Sequence, residues 1–379
     1  MASGKQSRAG IVREPTVFTS QYPAGSPAVV AVLLPLLNED VKQVRNQESV
    51  IDRAEDADSF ATKLITLGIA VNGGFTANLS YTGLEDLFGC TLGHQAFRRL
   101  GAVQPEDVEG GLAFRHLFEM ERDLDDTDWL AGDGFIAGDG LIAGAQKIRR
   151  LTYAVDKVTS VWSAKSMYIA SMNLDFTPQG PSVSVDMVGH SIATDDAVNS
   201  QLNTLICNPE RVIYQDVRCF LSGSLNSDPN NSLNQLEIVG VALSLDNGLA
   251  AIHTRSSRLR ISEPRRNGAV VISGTLALPR YSNNEIVDIA YSDGRARLLI
   301  EATGPLIPGT STPYTLRIHL PLIQFTGADV PIDGPGQAGQ SYSFIALSTS
   351  ETTGLPTLSR RGPMVIELIN DNAVHTLFP

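Results

Sequence analysis

The stretch Ser166–Ile192 reads SMYIASMNLDFTPQGPSVSVDMVGHSI, and its alternation decides the fold class. Apolar Met172, Leu174 and Phe176 are separated by polar Asn173 and Asp175, and Val183, Val185 and Met187 by Ser184 and Asp186. A period of two belongs to a strand with one face on a core, because successive side chains leave a strand on opposite sides. The polar members then face water or a partner. Phe75, Ala77, Leu79 and Tyr81 repeat the pattern, as do Leu316, Ile318 and Leu320 with Arg317 and His319 between them. That spacing sets His319 on the solvent or interface side. With 33 Gly and 20 Pro punctuating short runs, the chain reads as mainly β.

Outward from that stretch, a diffuse repeat predicts two related β domains. Asn72-Gly73 opens a turn before the strand to Tyr81, and Thr82 to Glu85 has capping-box spacing ahead of a short helix over Thr82–Phe88. Asn267-Gly268 precedes the strand to Leu278, and Ser282 to Glu285 repeats the spacing ahead of a helix over Ser282–Tyr291, with Asp293-Gly294 as its stop. The expected division is an N-terminal arm over 1–24, a first β domain over 25–204 and a second over 205–379. The Asp- and Gly-rich segment 123–144 forms a long loop in the first domain, of the kind that reaches a neighbour.

The 379 residues carry 29 Lys plus Arg against 41 Asp plus Glu, a formal charge of −12. Such a chain is not drawn to phosphate backbones or anionic lipid. Charged residues make up only 18%, below the roughly 25% of an ordinary soluble domain, so neighbours are expected to cover part of the surface. Cations are 23 Arg and 6 Lys, which suits planar ion pairing across contacts. Cys90, Cys207 and Cys219 form no C-x-x-C pair and fit a reducing cytoplasm. Met1–Gly10 is polar, and the best apolar run, Ala28–Leu37, is short and broken by Pro35, so neither a leader nor a membrane span is expected.

No catalytic, cofactor or metal constellation stands out. Asp123, Asp125, Asp126 and Asp128 could offer hard oxygen ligands, but an EF-hand starting at Asp123 needs Gly sixth and Glu twelfth, where Asp128 and Gly134 stand. Gly334-x-Gly336-x-x-Gly339 follows no buried strand and opens no helix, so it is a loop and not a dinucleotide site. The six histidines lack metal-ligand spacing. The densest basic patch includes Arg255, Arg258 and Arg260, and its expected acidic partner is a neighbouring subunit, with the four aspartates above as candidate inter-subunit residues. Asp175 and Asp186, set opposite their apolar neighbours, are candidates for an exposed carboxylate-bearing face.

The order of elements resembles the tail tube proteins of long-tailed bacteriophages. The resemblance rests on Val71–Gly89, on Ser166–Ile192 and on Tyr314–Leu347, and covers most of residues 60–350. It implies a β-sandwich or barrel with one flanking helix per domain, and subunits that join sheets into rings. The rings would stack into a hollow tube through which DNA passes without specific binding. A duplicated chain is then expected to form a trimeric ring with pseudo-sixfold symmetry, or alternatively a hexameric one. Asp175 and Asp186 would face the channel, and tape-measure and tail-terminating proteins would be partners. The place implied is the virion tail, after synthesis in the host cytoplasm, with no enzymatic activity, cofactor or membrane. The alternative is a non-catalytic virion decoration or carbohydrate-binding β-sandwich.

Overall fold

Alternating sequence becomes paired strands in the computed structural model, which describes residues 9–13, 32–34, 36–50, 63–95, 106–120, 150–157, 160–194, 209–223, 234–251, 260–261, 265–266, 268–279, 285–292, 294–329, 340–349 and 362–372. The early strands are β1 (Ala9–Arg13), β2 (Val32–Leu34), β3 (Leu36–Glu39), β4 (Lys42–Val50) and β5 (Lys63–Asn78). After helix α1 (Glu85–Leu92) come β6 (Gly93–Gln95), β7 (Glu106–Glu109), β8 (Ala113–Met120), β9 (Leu151–Asp156), β10 (Val161–Phe176), β11 (Ser182–Gly189) and β12 (Ser191–Thr194). The later strands are β13 (Val217–Ser222), β14 (Gln235–Leu236), β15 (Gly240–Asp246), β16 (Leu249–Ala250), β17 (Arg265–Arg266) and β18 (Val271–Leu278). Helix α2 (Glu285–Tyr291) leads to β19 (Arg295–Leu306), β20 (Pro313–Asp329), β21 (Gln340–Ala346) and β22 (Val365–Asn370).

The chain is mainly β, and all the paired strands run antiparallel. Pairings among β1–β12 recur among β13–β22. β1 pairs with β2 and β9, as β13 pairs with β14 and β19. The run β9, β10, β11, β5, β3 is matched by β19, β20, β21, β18, β15. β12 flanks β10 as β22 flanks β20. Pairing of β10 with β15, and of β8 with β22, joins everything except the β16–β17 pair into one connected system.

β10 and β20 are long because each serves two layers. The first part of β10 lies between β9 and β12, and its second part between β11 and β15, with register shifts at Ala164/Met167 and Ile169/Ser171 marking the transition. Ser166, inside the first shift, has φ 50. Such bulges bend a strand from one sheet layer into another. The inward positions, among them Met172, Leu174, Phe176, Val183, Val185 and Met187, are buried, and each aliphatic or aromatic side chain so placed contributes about 1.5–3 kcal/mol. Phe75 stacks on Tyr153 at 5.5 Å, and Phe325 meets Phe344 edge-on at 6.4 Å.

Several expectations are corrected. Asn72-Gly73 is no hairpin turn: β5 runs straight through it, and Gly73, at φ 125, lets Asp40 and Val41 approach its backbone. α1 runs Glu85–Leu92 instead of beginning at Thr82, because the first helical bond is the one the Phe88 N–H donates to the Leu84 carbonyl at 2.9 Å. α2 is described over Glu285–Tyr291, with Ser282–Asn284 outside the described residues, and Gly294 ends it as expected by donating to the Ile289 carbonyl at 2.7 Å. Ala9–Arg13, inside the expected arm, is a strand with Ala9 and Ile11 buried, since β9 offers it an edge. His319 is buried instead of facing solvent, with Glu367 3.5 Å from its Nε2. The 123–144 loop lies outside the described residues.

Polar groups buried by this folding are tied across it. Arg317 Nε donates to Glu301 at 2.6 Å, its Nη1 lies 3.5 Å from Glu367, and Arg115 reaches the other Glu367 oxygen at 3.2 Å. Burial alone would raise the Glu367 carboxyl, but His319, Arg317 and Arg115 together hold it below the ordinary carboxylate range. Asn247 Nδ2 donates to the carbonyls of Thr91 and Ile169, both at 3.0 Å, which satisfies one of the orphan carbonyls at the end of α1.

Candidate functional site: a hydroxyl-rich sheet face

The face of β5, β11, β10, β15, β18 and β21 that points away from the core is built by the same alternation that fills the core. Strand register arranges it in rows. One row runs Thr76, Ser184, Asn173, Ser244, Ser273. The next runs Ser182, Asp175, Ala242, Thr275, Ser343. A third brings Asp186, Ser171 and Asp246 side by side. The first two rows border a recess of about 680 Å³.

No Lys, Arg or His stands in these rows, and three carboxylates do. Arg211, at the rim, donates from Nη2 to Asn78 Oδ1 at 2.6 Å. The carboxylates are held differently. The Ser171 hydroxyl donates to Asp186 at 2.9 Å, and the Gly248 N–H donates to Asp246 at 2.8 Å. Asp175 Oδ1 is buried with no hydrogen-bond partner, and burial raises this carboxyl while the Thr177 hydroxyl opposes the shift. Asn173 Nδ2 donates to Ser184 at 3.5 Å. Exposed Ile345 ends the first row on β21 and exposed Val271 the third on β18, so the surface is mainly polar, net acidic and built largely of short side chains. Among the described residues no group of three or more potential metal ligands gathers there.

Asp175 and Asp186 thus lie on one face of adjacent strands, Asp186 exposed and Asp175 half-buried. Asp246 joins them, and the alternation of Val241, Leu243 and Leu245 was the signal for it. Asp123, Asp125, Asp126, Asp128, Arg255 and Arg258 lie outside the described residues. Arg260 is exposed, beside β5 through a parallel bridge to Ile69, and the following N–H of Ile261 donates to the Ile69 carbonyl at 3.1 Å. No helix among the described residues is long and apolar enough to cross a membrane. Neither protein-family models nor curated proteins match this chain.

Proposed function

We propose that this chain is a structural virion protein: two tube-like β domains, joined head to tail, whose copies close into rings and stack into a hollow tail tube for DNA. The observation that carries the proposal is the cation-free polar face across consecutive strands. DNA is retained by Lys and Arg that displace its counterions, so a wall of hydroxyls, amides and carboxylates lets it slide. The recurrence of strand pairings supports the duplication. The resemblance in element order supports the same assignment, and tape-measure and tail-terminating proteins are the partners it implies.

Ring size follows from strand spacing. Each chain brings eight strands to the wall: β3, β5, β11, β10, β15, β18, β21 and β20. At about 4.8 Å per strand, three chains give a perimeter of about 115 Å and a backbone diameter of about 37 Å. Side chains standing about 5 Å inward leave a bore of about 27 Å, wider than the roughly 20 Å of a duplex. Strand tilt in a closed sheet only widens the ring, so a trimer with pseudo-sixfold symmetry is wide enough to pass DNA.

Electron microscopy of the purified protein in negative stain tests this. Stacked rings or hollow tubes are the expected result. A monodisperse monomer or small compact oligomer at high concentration would overturn it and favour a decoration or carbohydrate-binding role.

A further inference from the structure

The strand pairing inside one chain also defines how two chains meet. Within the chain, β15 adds to the outer edge of β10, with Ala242 opposite Asp175 and Ser244 opposite Asn173. Among the described residues the corresponding edges at the two ends have no such partner: β3 pairs only through the edge that faces β5, and β20 beyond Gln324 pairs only with β21. β3 is the counterpart of β15 and β20 of β10, because each occupies the same place in the recurring order of pairings. We infer that the free edge of β3 in one chain adds to the Phe325–Asp329 edge of β20 in a second copy, setting Asn38 opposite Asp329. This rests on the ring reading above and deepens it by fixing edges and register.

The register comes from the two hairpins. Asp175 opposite Ser182 closes the first, and Asp329 opposite Ser341 closes the second. Ser182 faces Asn78 on β5, and Ser341 faces Ala277 on β18, which aligns Thr76 with Thr275 two residues back. Thr76 is opposite Asn38, and Thr275 is opposite Ala242. Since Ala242 faces Asp175, Asn38 of the incoming chain faces Asp329, and Glu39 faces Ala328.

The residue types at the two register positions agree with the alignment: asparagine opposite aspartate is a favourable cross-strand combination. The incoming strand is short and bulged between Leu36 and Asn38, and Leu37, the bulged residue, is 57% exposed in the isolated chain. A short, bulged edge resists indiscriminate pairing, which leaves it to a matched edge, and the exposed leucine is the apolar surface that a second copy would cover. The contact is heterologous, β3 to β20, so it propagates in one direction and closes when the rotation per chain divides the circle.

Cysteine pairing tests the junction in the full-length protein. Asn38→Cys with Asp329→Cys in one chain should, on mild oxidation, give covalent dimers and trimers on a non-reducing gel. Each single variant should stay monomeric there, as should the unmodified protein with its native cysteines. The offset pair Leu36→Cys with Asp329→Cys should cross-link at least fivefold less. As a second measurement, Asn38→Asp, at an exposed position, should keep the circular dichroism spectrum and raise the concentration for half-assembly about threefold by opposing two carboxylates. Rings that form without this cross-link, or that tolerate Asn38→Asp unchanged, overturn the junction and leave the ring reading standing. Absence of any ring or tube from the unmodified protein overturns both.

Discussion

The side-chain amide of Asn370 donates to the carboxylate of Glu85 at 2.5 Å across 285 residues of sequence, and to the Tyr81 carbonyl at 2.9 Å. The Asn370 oxygen lies 2.9 Å from His116 Nε2. One asparagine in β22 therefore secures the start of α1, the end of the segment after β5, and β8. Burial drives the His116 imidazole down to about 4, so it stays neutral and donates to Asn370 at physiological pH.

Burial raises the Glu85 carboxyl, while hydrogen bonds from its own backbone, Asn372 and Asn370 oppose the shift and the nearby Asp86 charge adds to it. A raised carboxyl binds its proton more tightly in the folded state, so this group's contribution is most favourable at low pH and is lost as pH rises above the ordinary carboxylate value. Asn370→Ala removes an opposing donor. We expect a loss of about 2–4 kcal/mol in urea unfolding, with a larger deficit at pH 8 than at pH 5. An equal deficit at both would show that Glu85 is not the group affected.

Glu367 has the opposite sign. Its carboxyl is held below the ordinary range, so its stabilisation is present above the unfolded value and is lost as pH falls through the folded one. Glu367→Gln should cost about 3 kcal/mol at neutral pH by leaving Arg317 and Arg115 short of a buried counter-charge. It should also flatten the decline in stability below about pH 4.5. Denaturant midpoints collected from pH 2.5 to 7 give both quantities.

Two glycines at close approaches should respond unequally. A Cβ at Gly74 would stand 1.9 Å from the Val185 carbonyl oxygen, a backbone atom of the neighbouring strand. At Gly189 it would stand 2.0 Å from the sulfur of Met167, which can rotate away. Gly74→Ala should therefore lower the thermal midpoint well beyond Gly189→Ala, since relief requires β5 and β11 to separate. Similar midpoints would contradict the assigned register.

The sheet face makes a separate demand. The unmodified protein should show no DNA retention in a filter assay at about 0.15 M salt. Asp186→Lys combined with Asp246→Lys should create retention that weakens steeply with added salt, as phosphate contacts do. If the unmodified protein holds DNA at that ionic strength, the sliding surface is wrongly assigned.

In the best-patterned stretches, sequence alone determined the strands and their faces. Alternation in Ser166–Ile192 sorted Leu174 from Asp175 and Val185 from Asp186 without any long-range information, because side-chain direction in a strand has period two. The mainly β class was legible for the same local reason, and the two short helices were legible from local cap and stop signals, although the first residue of α1 was not. Pairing was not legible. That Asn72-Gly73 passes through a long strand, that Ala9–Arg13 is an inner strand, and that His319 is buried beside Glu367 all depend on which edges meet. A strand's edge carries the same N–H and C=O groups whatever its sequence, so the choice of partner is made by the packing of the whole chain. The same holds for the hydroxyl rows: each strand contributes one or two short polar residues of no individual significance, and only the register across β5, β11, β10, β15, β18 and β21 gathers them into a surface.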